Sequence, residues 1–186
     1  MKLIPAKTLL LLPLLVILLI CTVEMPAQKM GSVRARMQRL LGLQPEKFTP
    51  KAEVIQKTEE GDVVIEDLRF HADHDTWVPA IVVKPRAATK PLPAIICLPG
   101  TGGTRQNLAD ARLQLSERPR TGWARALARA GFVTISLDYR GSDARNQNIY
   151  LEALREQLAG RSYMGLLVHE TIRAVDYLQT RDDVEG

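Results

Sequence analysis

The residues best suited to chemistry lie in the run Ile95-Ile96-Cys97-Leu98-Pro99-Gly100-Thr101-Gly102-Gly103. A short apolar stretch followed by closely spaced glycines reads as a buried strand that opens into a loop at its C-terminal end. Without Cβ atoms, such a loop lets backbone N–H groups approach a ligand. The C-terminal edge of an open α/β sheet is also where ligands bind. Two chemistries use this arrangement: cradling of phosphates, and donation to the oxyanion of an acyl-transfer intermediate. A Walker-type phosphate loop ends in Gly-Lys-Ser/Thr, whereas this one continues Gly103-Thr104-Arg105. A dinucleotide fingerprint needs Gly-x-Gly-x-x-Gly opening directly into a helix. Here the glycine spacing differs, and the mostly polar stretch Thr104 to Thr121 is expected to precede the next helix. The oxyanion reading passes both tests. Its plain alternative is an ordinary turn.

The other reactive residue types point away from a complete site. Gly-x-Ser-x-Gly does not occur, and Ser32, Ser116, Ser136, Ser142 and Ser162 lie outside any strand–turn–helix context. His71 and His74, in His71-Ala72-Asp73-His74-Asp75, look like metal ligands only superficially. A dinuclear hydrolase wants His-x-His-x-Asp-His, and a catalytic zinc takes three protein ligands. A solvated turn is expected there, and no metal or cofactor. His169, beside Glu170, is expected to pack on or lie along a helix surface. Asp138 and Arg140 follow a strand and either line a cleft or brace loops, bracing being the commoner role.

The elements that must position the loop follow from periodicity. Gly31 to Gly42 reads as a short amphipathic helix with Val33, Met37, Leu40 and Leu41 on one face. Gln44 to Pro50 is a connector. Three strands follow: Lys51 to Glu59, Val63 to Phe70 and Trp77 to Lys84, joined by turns at Gly61-Asp62 and His71 to Thr76. The alternation in the second strand slips once, as a bulge there would cause. Pro93 to Leu98 is expected to be buried on both faces. A helix from Gly122 to Ala130 stops at Gly131, which suits the left-handed cap position. A buried strand Phe132 to Leu137 comes next. Helices follow at Asn148 to Leu158 and Ser162 to Gln179, the latter with Leu166, Leu167, Thr171, Ala174, Val175 and Leu178 on one side. Antiparallel leading strands followed by strand–helix–strand predict an α/β fold with a mixed, mostly parallel sheet.

The chain has 186 residues and is 46% apolar, enough for one domain with a sizeable core. Lys2 and Lys7, the apolar run Thr8 to Val23 and the small Ala27 have the order of a secretory signal peptide. That ordering assigns residues 1–27 to a leader and 28–186 to the domain, and implies a secreted or periplasmic protein. The run Leu9 to Val23 is short for a bilayer span of ~20 residues, and an uncleaved N-terminal anchor is the alternative. Cys21 does not make a lipobox, because bulky Ile20 precedes it. A net charge of +4, spread evenly, implies neither a nucleic-acid partner nor a membrane-surface partner beyond such an anchor. Past the leader only Cys97 remains, so no internal disulfide is expected and the core must hold the fold.

Taken in order, several pieces form a pattern. They are Leu40 to Leu43, Val78-Pro79-Ala80-Ile81-Val82-Val83-Lys84-Pro85, Pro91 to Leu98 with the glycine loop, Ala126 to Phe132, and Asp138-Tyr139-Arg140-Gly141. From Val33 to Gly186 this order resembles the α/β-hydrolase superfamily, especially its acetyl-xylan-esterase and dienelactone-hydrolase-like members. That family's loop usually reads His-Gly-x-Gly-Gly, and Pro99 stands in the histidine's place. The resemblance implies the N–H of Thr101, with that of Gly102, as the first oxyanion donor. It further implies the N-terminal half of the fold, stopping before the nucleophile elbow, with the acid and histidine later still. The complete protein would then be a carboxylic-ester hydrolase acting on a small ester or acetylated carbohydrate, and this chain alone would be inactive. A peptidase on the same fold and a non-catalytic binding module are the other readings.

Overall fold

The computed structural model describes residues 30–43, 48–100, 103–110, 122–145 and 147–186. The expected leader lies outside them. The chain divides into two compact units, Met1–Arg36 and Met37–Gly186. Helix α1 (Met30–Leu41) runs through that boundary, and every other described element belongs to the second unit.

Strands β1 (Ala52–Glu60), β2 (Val63–His71) and β3 (Trp77–Pro85) form an antiparallel meander. The β1–β2 turn uses Gly61 at φ +62°, a conformation that glycine adopts without strain. Strand β4 (Ala94–Cys97) leads through short helices α2 (Arg105–Ala109) and α3 (Trp123–Arg129) to β5 (Val133–Leu137). Helices α4 (Ile149–Leu158) and α5 (Tyr163–Leu178) follow. The five-stranded sheet has the order β1-β2-β3-β5-β4, with β5 antiparallel to β3 and parallel to β4. It is a mixed sheet, as the sequence predicts, although among the described strands three pairings are antiparallel and one is parallel.

β5 lies between β3 and β4, and all five of its residues are buried. Val133, Ile135 and Leu137 join Leu68, Phe70, Val78, Ala80 and Val82 beneath Ala174, Tyr177 and Leu178 of α5. On the opposite face, Val63, Ile81 and Val83 meet Ala109 and Ala128, while Cys97 meets Leu108 and Ala124. The buried Thr134 hydroxyl lies 3.1 Å from the carbonyl oxygen of Val83 and 3.2 Å from that of Ala124, so it carries no orphaned polar group. Gly131 takes φ +98° after α3, as its position predicts.

Four expectations need correction. β2 carries no bulge: its pairing with β3 runs unbroken from Val63↔Pro85 to His71↔Trp77. Its alternation slips because cover changes along the strand, Val63 lying under α2 and α3 while Leu68 and Phe70 lie under α5. The register shift falls in β1, between Val54 and Gln56. β4 is an edge strand among the described residues, and only Cys97 in it is fully buried. Helix α2 occupies a stretch read as helix-free; Thr104 caps it, accepting a hydrogen bond from the Asn107 N–H at 3.3 Å. In α5, Val175 faces solvent while Glu170 and Arg173 are buried. In α4 too, charged Glu152 and Glu156 turn inward, while Tyr150, Leu151, Leu154 and Leu158 are exposed.

Beyond α5 the chain returns to the sheet. Val184 forms a parallel bridge with Leu92, whose N–H donates to the Asp183 carbonyl at 3.0 Å and whose carbonyl accepts from the Glu185 N–H at 2.9 Å. Ion pairs fix this return. Arg181 meets Asp183 at 2.7 Å and Glu66 at 2.9 Å, and Lys84 lies 3.3 Å from Glu66 and 2.5 Å from Asp183. Burial opposes ionisation of Asp183, but hydrogen bonds from Arg181 and Lys84 outweigh it and hold the carboxyl well below its ordinary range.

The end of α1 touches α5 through a glycine. A Cβ on Gly165 would lie 1.8 Å from the Leu41 carbonyl oxygen, so no larger residue fits without backbone movement. Gly165→Ala is therefore expected to destabilise the chain by about 1–3 kcal/mol. Hydrogen exchange should show Leu41 to Leu43 loosened more than β5, and equal exchange in both segments would contradict the contact.

Candidate active site

The glycine loop begins where β4 ends. Past buried Cys97, Leu98 is exposed, and the Gly103 N–H donates to the Gly100 carbonyl at 2.9 Å to close a tight turn. A Cβ on Gly103 would stand 3.1 Å from both the Gly100 oxygen and the Pro99 Cβ. The turn packs on itself, which is a physical reason for a glycine there. Thr101 and Gly102, the residues assigned as oxyanion donors, lie outside the described residues.

The exit of the loop is held from below. The Arg105 N–H donates to Asp138 Oδ1 at 2.8 Å, and the Arg105 guanidinium pairs with Asp138 Oδ2. The same guanidinium reaches Asp67 of β2 at 3.3 Å. Asp138 is wholly buried, at 0% exposure. The residue after β5 therefore braces the glycine loop, the commoner of the two roles open to it.

A second carboxylate, on the helix side, braces the chain that follows Asp138. Glu170 of α5, also fully buried, accepts from the Arg140 N–H at 3.2 Å and from Arg145 Nη1 at 3.0 and 3.1 Å. Arg145 also donates to the Trp77 carbonyl at 3.2 Å, and Arg140 donates to the Thr76 hydroxyl at 2.8 Å. The Tyr163 hydroxyl closes the set by donating to the Arg140 carbonyl at 2.6 Å. The sequence reading missed Arg105, Arg145 and Glu170. Hydrophobic periodicity treats a buried charge as a surface residue, so their only signal was an acid at the end of a buried strand.

The remaining candidates have structural roles. His71 Nδ1 lies 3.0 Å from the Asp73 carbonyl, with its ring edge-on to Trp77. His74 packs edge-on against Phe48. His169 Nε2 lies 3.0 Å from the Ala72 carbonyl, tying α5 to the β2–β3 turn. The described residues include no group of three or more His, Cys, Asp or Glu that could hold a metal. Burial pushes the Cys97 thiol up to about 12, which keeps it protonated and non-nucleophilic at neutral pH. A cavity of about 200 Å³ is lined by Asp73, Arg140, Glu156, Arg161 and His169, and none of the described loop residues 98–100, 103 and 104 lines it.

With this geometry in place, the relatives become interpretable. Residues 21–163 match the model of the Abhydrolase family, well over half of the chain. The chain belongs to the abhydrolase family. YtaP of Bacillus subtilis (strain 168), which carries a hydrolase name, is 25% identical over 154 residues, covering 82% of this chain and 52% of that protein. A Bacteroides fragilis NCTC 9343 structure bearing an acetyl xylan esterase name superposes with a TM-score of 0.70 at 18% identity, over 83% of this chain and 43% of that one. Acetyl xylan esterase 1 from Thermoanaerobacterium sp. JW/SL YS485 gives 0.53 at 16%, over 81% and 45%. At these identities the structures establish the fold. The abhydrolase chain spans about half the length of the relatives it matches.

Two measurements probe the surroundings of the glycine loop. Asp138→Ala leaves the Arg105 guanidinium largely buried beside a more distant Asp67, and is expected to cost about 3–5 kcal/mol. Urea unfolding reads this, and a loss under about 1 kcal/mol would show that the pair holds nothing. Cys97 gives a pH signature. Its folded value lies above its ordinary 9.0, so its stabilising contribution is complete below pH 9.0 and is lost as pH rises towards about 12. Cys97→Ala should remove that part of the alkaline slope.

Proposed function

We propose that this chain supplies the oxyanion side of a serine-type carboxylic-ester hydrolase acting on small esters or acetylated carbohydrates. The supporting observation is the contact between Gly100 and Gly103 just past the C-terminal end of β4, with the segment after it anchored through Arg105 to buried Asp138. Preorganised N–H groups at such a point stabilise charge as it develops on a carbonyl oxygen. The Thr101 N–H, with that of Gly102, fills this role in the proposal. An activated serine would attack the carbonyl carbon, a histidine would take the hydroxyl proton and return it to the leaving alcohol, and an acid would orient the histidine.

The serine, acid and histidine are assigned to the longer protein, after Gly186. Two facts support this. The relatives are about twice as long as the matched region. The Leu92–Val184 bridge also directs the chain parallel to β4, along the side that no described strand pairs. A strand continuing there would end beside the glycine turn, where the residue after the nucleophile supplies the second oxyanion donor. The acetyl xylan esterase names of the structural relatives support the substrate class. A leader over residues 1–27, a domain from 28 onward and a secreted or periplasmic location complete the proposal.

The downstream reading frame and the extended protein provide the test. A Gly-x-Ser-x-Gly strand is expected shortly after Gly186, together with release of acetate from acetylated xylan or p-nitrophenyl acetate. Thr101→Pro, which removes the N–H, should lower kcat by roughly 10²–10³-fold. Absence of the serine strand, or cleavage of peptide amides in preference to acetyl esters, would refute the reading.

A further inference from the structure

Helix α1 turns its apolar face to solvent: Val33, Met37 and Leu40 are 46%, 54% and 69% exposed. At 3.6 residues per turn these three share an arc of roughly 60°. Arg34 and Arg36 flank that arc on its two sides, with Arg39 beyond Arg36, and all three arginines are exposed. The helix contains no Asp or Glu. Averaged over the chain, the three arginines vanish into a net charge of +4. On α1 they are uncompensated within the helix.

We infer that α1 is a surface-seated helix that lies on an anionic lipid layer. A helix of this pattern places its apolar side chains at the boundary of headgroups and acyl chains. Arginines at the edges of the apolar arc extend their aliphatic stems along it and set their guanidinium groups among lipid phosphates. Charge complementarity selects an anionic surface over a neutral one. Among the described residues no helix is long and apolar enough to cross a membrane, so α1 would lie on the surface. The inference does not depend on the hydrolase chemistry.

The test uses the full chain and its flotation with vesicles of phosphatidylcholine alone or with about a third phosphatidylglycerol. The salt concentrations are about 0.1 M and about 1 M, over which the Debye length falls from ~10 to ~3 Å. At low salt the protein should partition at least roughly tenfold more strongly onto the anionic vesicles, given three arginines at the surface. The preference should vanish at high salt and in the triple variant Arg34→Gln/Arg36→Gln/Arg39→Gln, with helix content checked by circular dichroism. In a Cys21→Ser background, a polarity-sensitive dye on Leu40→Cys should shift to the blue on anionic vesicles only. Equal flotation on both vesicles, or flotation unaltered in the triple variant, would assign binding to the upstream run and overturn the inference. Failure to float with either vesicle would overturn it as well, in favour of a protein partner for this face.

Discussion

Asp138 is a carboxylate with no access to water, placed at the end of the most buried strand of the sheet. An isolated charge there would be prohibitively costly, so it must be paired and hydrogen-bonded. Arg105 does both, through its backbone N–H and its guanidinium. The exit of the glycine loop takes its place through this pair. β5 carries the acid, α2 carries the base, and the loop enters α2 directly. A hydrogen bond to an ionised group is shorter and stronger than a neutral one. The loop is therefore fixed at its exit by one of the stiffer contacts available to a backbone amide.

The rest of the sheet serves that placement. β5 can hold Asp138 in a fixed position because α5 covers one face and α2 and α3 cover the other. Glu170 repeats the device from the helix side, fixing Arg140 and Arg145 and with them the course of the chain after Asp138. The ion pairs among Glu66, Lys84, Arg181 and Asp183 hold the returning chain beside Leu92, at the edge of β4. Buried ion pairs are weak contributors to net stability but strong determinants of geometry, since breaking one leaves a charge stranded. Two of these clusters, around Asp138 and Glu170, lie past the C-terminal end of β5, on the edge where a ligand of this fold class binds, and the third holds the opposite end beside Leu92.

Much of the fold was legible from residue patterns. The meander, the order of strands and helices, the cap at Gly131 and the glycine loop after β4 all follow from local rules of propensity, turn chemistry and period. β2 was misread because a slipped alternation has two physical causes, an inserted residue or a change of cover, and only the neighbours of Val63 and Phe70 distinguish them. β4 was read as buried on both faces because an apolar run carries no information about how many strands flank it. Helix α2 was missed because five residues are too few for a periodic signal, and the cap at Thr104 became recognisable only with the helix.

By itself the sequence determined the family, the mixed sheet and the position of the loop, because these depend on the identity and spacing of neighbouring residues. Tertiary structure alone decided what holds the loop. Arg105 and Asp138 are separated in sequence by a helix and a strand, and Glu170 lies a further helix away. Nothing in any of the three segments marks its charge as buried. Desolvation is a property of what surrounds a group, so the pairing that defines the candidate site appears only once the chain is folded.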